Sequence, residues 1–98
     1  MNKIRKVSDI KVEDIADYLR IDELTEGDEQ MLNNLLEIAK TYIESYTGQT
    51  ELDNYQDFVI VALTLVQGMY DNRTMCVDST NLNTVVETIL GMHSVNLL

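Results

Sequence analysis

The chain has 98 residues, 45% of them hydrophobic, with no proline, four glycines and a formal net charge of -10. That length buries one core and not two, the apolar content argues against wholesale disorder, and the scarcity of breakers favours long helices over turn-rich β structure. A single cysteine, Cys76, excludes an internal disulfide, and no apolar leader-type segment opens the chain, so the expected compartment is a reducing cytoplasm.

The charge is unevenly placed. Lys3, Arg5, Lys6 and Lys11 hold four of the seven basic residues, while of the 17 acids only Asp9 falls in the same stretch. The body beyond is acidic, with Arg20, Lys40 and Arg73 as its cations. Such a surface repels phosphate backbones, because duplex binding is driven by Lys and Arg displacing counterions. Solubility alone also accounts for the charge.

Residues 1–10 are basic and weakly patterned, which predicts a solvated terminus, although Ile4, Val7 and Ile10 recur at threes and allow some docking. A short helix is expected over residues 12–19, where Val12, Ile15, Ala16 and Leu19 form a stripe opposite Glu13, Asp14 and Asp17. A loop follows at about residues 21–25. Thr25 and Asp28 then read as a cap for a long amphipathic helix over residues 26–47. Its apolar face carries Met31, Leu32, Leu35, Leu36, Ala39, Tyr42, Ile43 and Tyr46, and Gly48 supplies a left-handed stop. The short link over residues 49–52 makes the next helix an antiparallel neighbour.

That next helix, expected over residues 53–72, organises the fold. From Phe58 to Val66 only Thr64 is polar, so the segment is buried on most of its circumference. The run Val59, Ile60, Val61 also suits a buried strand, but Asp53 with Gln56 resembles a capping box, and the polar end at residues 71–73 makes a stop. The apolar stretch is about half of the roughly 20 residues a bilayer crossing needs. Residues 74–83 have no period and read as a loop or a strand-like arm. A last helix over residues 84–92 is expected to open on a capping box of Thr84 and Glu87, with Val85, Val86, Ile89 and Leu90 on one face. The terminal Leu97 and Leu98 need a surface to pack on.

Catalytic constellations are missing from this pattern. One histidine, His93, and one cysteine make neither a zinc cluster nor a Cys-His pair, and the glycines at 27, 48, 68 and 91 are isolated rather than gathered in a phosphate loop. The acid runs lack the spacing of a calcium loop. Neither catalysis nor a cofactor or metal is therefore expected. Tyr42, Tyr46 and Tyr70 fall on apolar faces, which predicts core packing, with an intersubunit contact as the alternative.

Three stretches, YLRID at residues 18–22, AKTYIESYTG at 39–48 and LVQGMYDNR at 65–73, together resemble the small head-tail connector proteins of long-tailed phages, also described as DNA-packaging adaptors. The resemblance runs over about residues 8–73. It implies an all-α bundle of about four helices whose copies form a ring of about twelve beneath the portal protein at the virion head-tail junction, after assembly in the bacterial host cytoplasm. That ring would extend the channel through which DNA passes without specific binding, and would dock a further connector or tail-completion protein. The basic start and Leu-rich finish would serve as arms. By the same resemblance Arg20 and Arg73, two and three residues after Tyr18 and Tyr70, are fixed structural positions, and ion pairs to the acids of an adjacent helix are expected for both, with an exposed arginine as the alternative. The rival reading from another class is an acidic phage-encoded regulator that mimics DNA and blocks a nucleic-acid-binding protein.

Overall fold

The computed structural model describes residues 6–78 and 82–94, and within them the protein is all-α: four α-helices, two 3-10 turns and no strand. The expectations for Ile4 and for the Leu97-Leu98 terminus lie outside the described residues.

Helix α1, Val12–Leu19, turns Val12, Ile15 and Ala16 inward at the spacing of one helical face. The Asp14 carboxylate reaches back to accept from the Lys11 backbone N–H at 2.9 Å, satisfying a donor that the first turn leaves without a partner. At the other end Arg20 adopts a left-handed conformation (φ 62°). Its N–H donates to the Asp17 carbonyl and that of Ile21 to the Ala16 carbonyl, the paired bonds of a Schellman motif.

Helix α2, Glu26–Thr47, is about 33 Å long and opens on the expected capping box. Thr25 Oγ1 accepts from the Asp28 N–H at 3.1 Å, and Asp28 Oδ2 accepts from the Thr25 N–H at 3.3 Å. Leu32, Leu35, Leu36, Ala39 and Ile43 are buried along one stripe. So is Thr47, whose hydroxyl donates to the Ile43 carbonyl at 2.7 Å and accepts from the Gln49 N–H at 3.1 Å, leaving no buried polar atom unpaired there. Gly48 closes the helix at φ 74°, a conformation that costs glycine nothing.

The central helix begins later than its sequence pattern suggests. Helix α3 spans Phe58–Asn72, and residues 52–54 form a separate 3-10 turn. The expected capping box at Asp53 does not form, because the Asp53 carboxylate accepts instead from the Ser8 N–H at 3.0 Å. Tyr55 is extended, which breaks the helical path, while buried Leu52 pins the turn to the core. From Phe58 to Val66 all apolar residues but Ile60 are buried. Ile60, 44% exposed, marks the narrow stripe that continues through half-buried Thr64 and Gln67 to exposed Gly68 and Asp71. Arg73 repeats the left-handed Schellman stop (φ 54°), with its N–H on the Tyr70 carbonyl and that of Thr74 on the Met69 carbonyl.

Helices α2 and α3 share the most extensive interface in the fold. They run antiparallel, since the start of α2 at Asp28 and Met31 shares a surface depression with the end of α3 at Met69 to Arg73. Helix α1 covers one flank, and α4, Thr84–His93, covers another. Asn83 rather than Thr84 caps α4, its Oδ1 accepting from the Val85 N–H at 2.7 Å, so the box expected between Thr84 and Glu87 is replaced. Only Val86 and Leu90 are fully buried in α4, Ile89 is half-buried, and Val85 is 59% exposed, so its apolar face is narrower than expected.

Of the start of the chain, residues 6–10 are described, and there the expected docking of Val7 and Ile10 is seen. Val7 and Ile10 are buried in the core, and the 3-10 turn Val7–Asp9 lies against the turn at residues 52–54 through the Ser8 to Asp53 bond.

Candidate assembly surfaces

Tyr42 and Tyr46, one turn apart on α2, stack at 6.0 Å between ring centroids. Tyr42 packs on the core as a half-buried ring, whereas Tyr46 is 40% exposed, which corrects the expectation of core packing for it: position 46 lies to the side of the stripe of Leu36, Ala39, Ile43 and Thr47 that is buried. Burial pushes the Tyr42 hydroxyl above its ordinary value, with Tyr46 and the Glu87 carboxylate adding to the shift. Beside this pair Ile38, Thr41, Tyr42 and Ser45 form one wall of an open groove of about 510 Å³, and Met75 to Val77 form the other. Glu37 stands at its edge, and the rest of its lining is apolar or uncharged.

Tyr70 packs against the core as a half-buried ring. Nearby Arg73 lines a depression with Asp28 and Asp71, yet among the described residues neither its guanidinium nor that of Arg20 forms an ion pair. The ion pairs expected for these two arginines are therefore corrected. Lys40 does pair with Glu37, at 3.3 Å, and His93 lies within hydrogen-bond distance of Asp57 at 2.9 Å. The arginines' structural part is played by the backbone, as left-handed caps, with both side chains exposed.

The His93 cluster is a feature that reading the chain by segments missed. His93 Nε2 lies 3.1 and 2.9 Å from the two Asp57 oxygens, and its ring packs on Tyr55 at 4.2 Å and edge-on to Phe58 at 5.0 Å. Gln49 Nε2 donates to the His93 carbonyl at 3.0 Å. The end of α4 is thereby tied to the start of α3 and to the link after α2. No group of three metal-ligating side chains exists among the described residues. The sequence signal was present in part: Asp57 is the residue immediately before a run of apolar helix, where an acid ordinarily caps. Here its carboxylate is taken by His93 instead.

Comparison with known proteins finds no matching family model, curated protein or solved structure. No helix among the described residues is long and apolar enough to cross a membrane.

Proposed function

We propose that the protein is a structural subunit of a phage or prophage head-tail connector, repeated in a ring below the portal, with an assembly role rather than a catalytic one. One observation carries this reading. The three stretches that resemble the connector proteins coincide with the three helix ends closed by left-handed residues, Arg20, Gly48 and Arg73. The likeness thus follows the joints of the fold, where a backbone conformation constrains the residue, rather than the shared composition of helices. The uncovered groove beside Tyr42, with exposed Tyr46, adds a surface suited to burial against another subunit. An acidic body with few cations suits the wall of a passage that DNA must traverse without being held.

Electron microscopy of the purified chain mixed with the portal protein of its own genome tests the reading. Rings seated on the portal are the expected result. A chain that ignores the portal, stays monomeric at high concentration and inhibits a DNA-binding enzyme overturns it in favour of the DNA mimic.

A further inference from the structure

Arg73 carries a charge that its own fold does not use. Its side chain is exposed, its backbone sits at φ 54° where glycine would be free of strain, and among the described residues its guanidinium has no ion pair. The remaining residues, 1–5, 79–81 and 95–98, contain no Asp or Glu, so they bring it no side-chain carboxylate. Asp71 is close in sequence but does not face it. Positions two apart lie on different sides of a helix, and the left-handed turn carries Arg73 off the end of α3. A cation kept at a strained position with no partner in its own chain is placed to meet one outside.

The surface around it matches itself. Arg73 lines a depression of about 500 Å³ between the start of α2 and the end of α3, and Asp28 and Asp71 line the same depression. Half-buried Met31 and Tyr70 give it an apolar floor, and Met75, 56% exposed, is an adaptable apolar side chain in the same lining. A two-fold contact requires one surface to bear both halves of every pair, and here cation, carboxylates, hollow and filling side chain share one surface. Charge favours the same place. Copies with a formal charge of -10 repel one another, and this patch sets a cation against carboxylates when two copies face. We propose that two copies of the chain meet at this depression about a two-fold axis. The Arg73 guanidinium of each lies between Asp28 and Asp71 of the other, and Met75 of each rests on the other's Met31 and Tyr70. Two helix ends and a turn bury less than the roughly 1,200 Å² of a standard interface, so the dimer forms at high concentration and dissociates on dilution. The contact belongs to the free chain and calls on neither a ring nor a portal.

Sedimentation equilibrium of the full chain from about 10 μM to about 1 mM should show the mass climbing from that of one copy, 11.2 kDa, toward twice that value. Arg73→Glu and Asp71→Arg each set like charges face to face in their own dimers, and each should weaken association about tenfold. An equimolar mixture of the two restores opposite charges at both symmetry-related pairs and should associate about as tightly as the parent. Arg73→Gly removes the charge and relieves the turn. It should weaken association about tenfold while dilute protein melts at a higher temperature, so the loss cannot be assigned to a damaged fold, and it serves if a charge reversal fails to fold. A parent chain that stays monomeric at about 1 mM, variants that associate as the parent does, or a mixture as weak as its components each overturn the proposal. No portal is present in these measurements, so they leave the connector reading to be decided by microscopy.

Discussion

Arg20 and Arg73 show how a residue can matter through its backbone while its side chain stays exposed. A left-handed conformation costs a non-glycine residue about 1 kcal/mol, and neither guanidinium recovers that through an ion pair. Arg73→Gly should therefore raise stability by about 0.5–1 kcal/mol in denaturant unfolding, as should Arg20→Gly; a loss at either site would mean that its side chain carries a contact within the fold. Asp53 offers a residue-scale prediction in pH. The Ser8 backbone N–H, then the Ser8 side chain, hold its carboxyl below the ordinary range, with Lys6 and Lys40 contributing. A depressed carboxyl adds stability that is present above its unfolded value and lost as pH falls through the folded one. The tie between residues 8 and 53 should thus stay closed at neutral pH and release only below about pH 4. The Ser8 amide shift, followed by NMR down the pH scale, checks this, and Asp53→Asn should flatten the transition.

At the scale of the element, α4 is the least buried of the longer helices, with two fully buried side chains and a polar tie at its end. His93→Ala leaves the Asp57 carboxylate without this partner and removes a ring that packs on both Tyr55 and Phe58. Amide exchange should accelerate across α4 while α2 and α3 stay better protected, because the interface those two share is the most extensive in the fold. Uniform acceleration in all four helices would show that α4 unfolds only with the rest. Gly68 has the opposite character. A Cβ built there meets nothing within 4 Å, so Gly68→Ala in the interior of α3 should stabilise by up to about 1 kcal/mol in thermal or denaturant melts.

For the whole molecule, a formal charge of -10 on 98 residues opposes compaction by self-repulsion. Salt shortens the range of that repulsion to about 10 Å at 0.1 M, so the melting temperature at a concentration where copies do not meet should rise with added sodium chloride.

Local rules made most of the fold legible in advance. Thr25 with Asp28, the stripe from Leu32 to Ile43, and Gly48 lie within a few residues of what they cap, cover or end, so α2 follows from near-neighbour physics. The uninterrupted apolar run from Phe58 to Val66 likewise determined by itself that α3 would be the core, and scarce glycine and absent proline that the chain would be helical. Tertiary structure alone decided the start of α3, where Ser8, 45 residues away, takes the carboxylate that was expected to cap it. It also decided the partner of His93, 36 residues away, and the meeting of Asp71 with the start of α4. A polar side chain at a helix boundary can bond its own backbone or a distant group at nearly equal free energy, and packing elsewhere chooses between them.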